Sequence, residues 1–304
     1  MSTDKPRIGF IGLGLMGHGM AKNLVAKGFP LTVRVHRNRK PAEDLLAAGA
    51  KEAKTNAELA GASDIVILCV TGSPQIEEIV YGENGILGVA RNGLIVVDTS
   101  TAEPASTAKI RGDLASRGTL YVDAPLARTP KEAEEGRLNT MVGADDATFA
   151  RLKPVLSAYC ENVIHVGPPG HGHMLKLVNN FLSMSIATTI AEACATCAKA
   201  GVSIAKLHEL VSAGAINSGI FQLMVGKMLE SGDLSGLKFT LVNAMKDMRY
   251  YTHFAESLPT AAIVGEAVHQ SLVTANLLGF GDKFVASLIE AQEKLGGVKI
   301  VARG

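Results

Sequence analysis

The chain has 304 residues, of which 47% are hydrophobic and 19% charged, with a formal net charge of +1. That length allows two domains and a large core, while the composition and charge exclude a disordered chain, a basic nucleic-acid binder and a membrane-surface protein. The short polar stretch before Arg7 and the four cysteines, read as small core residues even at Cys194-x-x-Cys197, make a reducing cytoplasm the expected location.

Residues 8–11 read as a short buried strand. Gly12-Leu13-Gly14-Leu15-Met16-Gly17 follows as G-x-G-x-x-G, and an apolar helix runs on to about residue 28. In that context the first glycine permits the tight turn. The second lets backbone approach a pyrophosphate, and the third lets the helix lie close on the sheet. The phosphates would sit on the helix N-terminus, where free N–H groups and the dipole favour an anion. Gly12, Leu13, Gly14 and Gly17 are therefore assigned to a dinucleotide.

A second strand, 31–35, ends in His36-Arg37-Asn38-Arg39-Lys40, with no carboxylate until Glu43. A carboxylate there would hold a ribose 2′-hydroxyl, whereas arginines hold a 2′-phosphate. His36, Arg37 and Asn38 are assigned to the cofactor, Arg39 could assist, and NADP(H) is favoured.

Apolar strands are expected at 64–70, 94–98 and 120–123, with helices to about 80 and over 103–117. This alternation implies a parallel, doubly wound sheet that takes ligands at the carboxyl ends of its strands. Val70, Thr71, Ser100 and Thr101 are thereby placed to line the cofactor cleft, as is the loop after Asp123. A strand at 140–143, a helix at 147–157 and a strand at 163–166 complete a Rossmann domain, residues 1–167. The Gly/Pro-rich turn 167–172 marks its end.

Residues 168–304 read as an all-helical domain for substrate and oligomerisation. Its first helix, 174–200, is mostly apolar, but Lys176, Asn179, Asn180, Glu192 and Lys199 argue against a membrane span. Lys176, Asn179, Asn180 and Ser183 stand at i, i+3, i+4 and i+7, hence on one helix face. Burying such groups without partners costs roughly 1–3 kcal/mol each. A polar stripe on a buried helix therefore suggests an active site rather than a solvent face. A desolvated lysine can protonate the alkoxide formed when hydride reaches a carbonyl. No metal is expected, because His165, His171 and His173 lie beside the Gly/Pro turn without acidic partners. Further helices are expected near 207–213, 239–249, 259–278 and 281–295. Lys246-Asp247, in the second of these, looks by itself like a surface or capping pair.

Gly9-Phe-Ile-Gly-Leu-Gly-Leu-Met-Gly17, Asp123-Ala-Pro125, Gly136 with Leu138, Gly172-x-x-x-Lys176-x-x-Asn179 and Lys246-Asp247 occur in order. Together these motifs resemble the β-hydroxyacid dehydrogenase family over essentially the whole chain. The resemblance implies a Rossmann domain, a helical C-terminal domain and metal-free hydride transfer. It implies that Lys176 is catalytic, that Asn179 orients, and that Lys246 lies near nicotinamide and substrate. Leu15, Met16, Val70 and Thr101 would contact the dinucleotide. Most of the family has Ser-Gly-Gly where this chain has Ala127-Arg128-Thr129. That loop, with Asn180 and Ser183, is similar to the sulfolactaldehyde reductase branch. It implies a sulfonate held by Arg128, Thr129, Asn180 and Ser183, and it leaves NAD(H) open beside NADP(H). A carboxylated semialdehyde or 3-hydroxy acid is the alternative substrate; a non-catalytic dinucleotide sensor and an imine reductase are weaker alternatives. A homodimer or homotetramer is expected, with no nucleic-acid or membrane partner.

Overall fold

The first strand, β1 (Ile8–Ile11), is buried on both faces, with Ile8 and Phe10 pointing to one side and Ile11 to the other. The computed structural model describes residues 5–36 and 38–301. The chain continues through α1 (Gly17–Ala26), β2 (Leu31–Arg34), α2 (Lys40–Ala47), β3 (Lys51–Ala53), α3 (Asn56–Gly61), β4 (Ile65–Leu68) and α4 (Ser73–Tyr81). It goes on through β5 (Ile95–Asp98), α5 (Pro104–Ala115), β6 (Leu120–Asp123), β7 (Leu126–Ala127), α6 (Pro130–Glu134), β8 (Leu138–Gly143), α7 (Asp146–Leu156) and β9 (Cys160–Gly167). The strands form one sheet in the order β3-β2-β1-β4-β5-β6-β8-β7, with β9 also on β8. Pairing is parallel from β3 through β6, and β8 runs antiparallel to both β6 and β7.

The side-chain period of two divides the core. Ile8, Phe10, Ile65, Ile67, Ile95 and Val97 pack with α1 and α2 on one face. Ile11, Val66, Leu68 and Val96 pack with Leu59, Ile76 and Ile110 on the other. Continuous apolar strands are what a sheet covered by helices on both faces requires. The register sets Ile11 beside Leu68, Leu68 beside Asp98 and Asp98 beside Asp123, so these residues share the carboxyl edge.

Several short elements go beyond the expectations. The segment before residue 60 contains β3 and α3, and the loop after Asp123 contains β7 and α6. The compact units are residues 1–176 and 177–304, a division that falls inside α8 (His171–Lys199). The reason is local: the first turn of α8 is hydrogen-bonded to Asp123 and Thr107 of the Rossmann unit.

The second unit is helical: the rest of α8, then α9 (Ile204–Ser212), α10 (Gly219–Phe221), a π turn at Gln222–Gly226, α11 (Lys227–Ser231), α12 (Leu241–Ser257), α13 (Ile263–Ala275) and α14 (Leu288–Gly296). By length and composition alone α8 is long and apolar enough to cross a membrane, a test that core helices of soluble proteins also pass. Its Met184, Ala187, Ala191 and Cys194 are nevertheless core residues of this unit, packed with Met224, Leu241 and Met248. Phe181 stacks on Tyr251 at 4.3 Å between ring centroids, which ties α8 to α12. Burial pushes the Cys194 thiol up to about 12, in keeping with an inert core residue.

Candidate active site

The glycine loop has the form the motif requires. Gly12 turns at φ +104°, and a side chain there would meet the Cys69 carbonyl oxygen at 2.1 Å. At Gly17 it would meet the Gly12 carbonyl oxygen at 1.9 Å. Nothing lies within 4 Å of the position a Gly14 side chain would take. The space in front of Gly14 is therefore open, which is what a ligand needs to reach the backbone. Leu13 packs against the core, Met16 is partly buried and Leu15 is exposed. Helix α1 has no capping side chain and no acid in its first turn, so its N-terminal dipole is uncompensated and suits an anion.

At the neighbouring strand ends, the Val70 backbone N–H donates to Ser100 Oγ at 3.0 Å, joining the loops after β4 and β5. Val70 and Thr101 are half-buried and Thr71 is exposed. After β2, His36 and Asn38 are exposed, and Arg37 lies outside the described residues. Arg39 makes a bidentate pair with Glu52 at 2.9 and 2.8 Å, so its charge is already matched. The Glu52 carboxyl is correspondingly held below the usual range.

Lys176 stands in the second turn of α8, half-buried, on a helix that starts at the carboxyl edge of the sheet. The stripe is not uniformly buried as expected. Asn179 is exposed, Ser183 is half-buried and only Asn180 is buried. Each has a local partner: Asn179 Nδ2 donates to Asn180 Oδ1 at 3.2 Å, Asn180 Nδ2 to Asp247 Oδ2 at 2.6 Å, and Ser183 Oγ to the Asn179 carbonyl at 2.9 Å.

Asp247, only 2% exposed, is the hub that motif reading undervalued. Its other oxygen is 2.7 Å from Lys246 Nζ, which also lies 4.8 Å from the centre of the Tyr250 ring. Lys246-Asp247 is thus a buried junction between α12 and α8, not a surface pair. A carboxylate inside an otherwise amphipathic helix was the one signal available.

Arg128 adopts φ +83°, a left-handed backbone that favours glycine. Its guanidinium engages the Glu161 carboxylate and the Arg137 carbonyl. Glu161 is held below its usual pKa by this hydrogen bond. Arg128 is therefore not an idle anion clamp, because any anion must compete with Glu161. Thr129 serves as the N-cap of α6, in a capping box with Glu132.

The histidines have structural partners. His165 stacks on Phe149 and bonds the Ala144 carbonyl, and His171 and His173 open α8 rather than lying in a linker. Among the described residues no three His, Cys, Asp or Glu side chains converge as metal ligands.

A family model described as the NAD binding domain of 6-phosphogluconate dehydrogenase matches residues 7–167, and one described as the NAD-binding region of NADP-dependent 3-hydroxyisobutyrate dehydrogenase matches 170–291. The chain belongs to the β-hydroxyacid dehydrogenase family. A 2-(hydroxymethyl)glutarate dehydrogenase of Eubacterium barkeri is 31% identical over 97% of both chains. A 3-sulfolactaldehyde reductase of Escherichia coli strain K12 is 29% identical over 93% of this chain and 94% of its own. The crystal structure of a 3-hydroxyisobutyrate dehydrogenase from Salmonella typhimurium is similar with a TM-score of 0.81 and 26% identity, covering 93% of this chain and 99% of that one. As a β-hydroxyacid dehydrogenase the chain is an NAD(P)-dependent oxidoreductase, and the open glycine loop fits a nicotinamide dinucleotide.

Proposed function

We propose that this β-hydroxyacid dehydrogenase is a cytoplasmic 3-sulfolactaldehyde reductase that forms 2,3-dihydroxypropane-1-sulfonate. One observation carries the reading. Arg128 occupies a backbone conformation at φ +83° that suits glycine and costs an ordinary side chain about 1–2 kcal/mol. A charged residue at such a position calls for a reason, and a strong anion is one that a guanidinium serves well. Asn180, Ser183 and Thr129 would complete the donor set, released in part from their present partners. The similarity to the E. coli sulfolactaldehyde reductase supports the same choice.

The bound dinucleotide would supply hydride to the aldehyde carbon. Lys176 would hold the carbonyl oxygen and give it a proton as the alkoxide forms, which yields the hydroxyl. Asn179 would orient substrate and lysine, and Lys246 would add positive charge, fixed in place by Asp247. Gly12 to Gly17 would bind the pyrophosphate, with Val70, Thr71 and Thr101 beside the ring. NADP(H) is the proposed partner, because the sequence after β2 carries His36, Arg37 and Asn38 and no carboxylate before Glu43, while Arg39 could join only by leaving Glu52. We further propose a homodimer or homotetramer, since Leu182 and Ile186 of α8 stay 56% and 41% exposed.

A carboxylated semialdehyde is the second reading. The observation favouring it is that Arg128 already takes a carboxylate, Glu161, as its partner.

Steady-state comparison of NADPH and NADH, each with 3-sulfolactaldehyde and succinic semialdehyde, tests both readings. Higher kcat/KM for the sulfonate, reduced at least tenfold in Arg128→Gly while that variant melts no lower than wild type, is the expected result. Full activity of Arg128→Gly on the sulfonate would end the anchoring role.

A further inference from the structure

The start of the lysine helix is held by a carboxylate that the reaction itself does not use. Asp123, at the end of β6, is 1% exposed. Its Oδ1 accepts the Gly170 backbone N–H at 2.6 Å, and its Oδ2 accepts that of His173 at 2.9 Å. The first N–H groups of a helix have no partner within it, and an anion among them is favoured by charge-assisted bonding and by the dipole.

Room for the carboxylate is built by two glycines from different elements. A Cβ on Gly143 of β8 would stand 2.7 Å from Asp123 Oδ1. One on Gly172 of α8 would stand 2.8 Å from Oδ2 and 2.5 Å from the Met141 carbonyl oxygen. The helix start can therefore lie directly against the strand ends.

A second buried contact fixes the rotation of the helix. The His173 ring is fully buried, with Nδ1 2.7 Å from Thr107 Oγ1 and Nε2 3.7 Å from Asp98 Oδ2. Asp98 is in turn held by the Tyr121 hydroxyl at 2.6 Å and the Ser100 N–H at 2.9 Å. Lys176 follows His173 at i+3, on the same helix face and about 4.5 Å further along the axis.

We infer that Asp123 is a positioning residue for Lys176. Its carboxylate sets the height of α8 on the carboxyl edge of the sheet, and His173 sets the rotation, so together they decide where the lysine ammonium stands. The inference rests on the reading of Lys176 as proton donor. A helix moves as a rigid body over one turn, so an error at its start reaches Lys176 undiminished, and an error of about 1 Å can cost on the order of a hundredfold in rate.

The test uses the full chain and four proteins: wild type, Asp123→Asn, Gly143→Ala and Lys176→Ala. Melting temperature, NADPH affinity by fluorescence, and kcat and KM for the aldehyde across pH are measured on each. Asp123→Asn keeps the shape and removes the charge. Gly143→Ala keeps the carboxylate and displaces it. Both are expected to bind NADPH within about twofold of wild type, to lose at least tenfold in kcat with little change in KM, and to displace the lysine limb of the kcat–pH profile. A role confined to stability would lower the melting temperature and leave that limb where it is. An unmoved limb with kcat within twofold of wild type, in whichever of the two variants folds, overturns the inference. Turnover that survives in Lys176→Ala would instead remove the reading of the lysine, a separate and distinguishable failure.

Discussion

At the residue scale, the site depends on what a single side chain leaves open or closes. Gly12 and Gly14 look alike in the sequence, yet the fold uses them differently. A Gly12→Ala variant is forced into φ +104° and against the Cys69 carbonyl. It is expected to lose about 1–3 kcal/mol of stability, read as a lower melting temperature. The Cβ of a Gly14→Val variant would meet nothing within 4 Å, so the free protein should melt like wild type. Its NADPH affinity, by fluorescence titration, should nevertheless fall at least tenfold, because the valine fills the space a pyrophosphate needs. Equal loss of stability in both variants would show that Gly14 serves folding rather than binding. Lys176 and Asn179 stand out as candidates in the sequence because polar groups at helical spacing interrupt an apolar run. The partners Asp247 and Glu161 were not, since Asp247 is 67 residues from Asn180 and Glu161 is 33 from Arg128. Sequence spacing carries no record of such contacts.

At the element scale, long apolar strands and long helices were readable and short polar pieces were not. The edge strand β3 reads Lys-Glu-Ala, with two of its three residues exposed, so no hydrophobic period announces it. The five-residue α6 does carry a signature: Thr129-Pro130-Lys131-Glu132 is a capping box with proline in the first turn. It is too short for periodicity to reveal. Elements are also stitched by charge. His18 of α1 places Nδ1 2.6 Å from Glu134 of α6 and Nε2 2.9 Å from Asp44 of α2, and Lys22 joins Glu134 at 3.0 Å. Burial opposes the imidazolium, but the hydrogen bonds it donates to Glu134 and Asp44 outweigh burial and raise the His18 pKa. A raised pKa in the folded state means stabilisation that is complete below about pH 6.5 and is lost as pH climbs through the folded value. The melting-temperature gap between wild type and His18→Gln should therefore be wider at pH 6 than at pH 9. A gap independent of pH would mean that the contact works through neutral hydrogen bonds alone.

At the scale of the whole molecule, mass photometry should return two or four times the 31.8 kDa chain mass, and a purely monomeric enzyme would overturn the proposed assembly. The sequence by itself determined the Rossmann sheet, the helical second unit, the dinucleotide loop and the family, because these rest on local signals. Such signals are a period of two or 3.6, a glycine at a turn, and motifs in a set order. Only the tertiary structure decided that the lysine helix begins as part of the Rossmann unit, anchored by Asp123 and His173, and that Asp247 joins Asn180 to Lys246. It alone showed that Arg39 and Arg128 already hold carboxylates. The physical reason is common to all of these. Burying a polar group is tolerable only when a partner meets it, and folding brings that partner from a distant part of the chain.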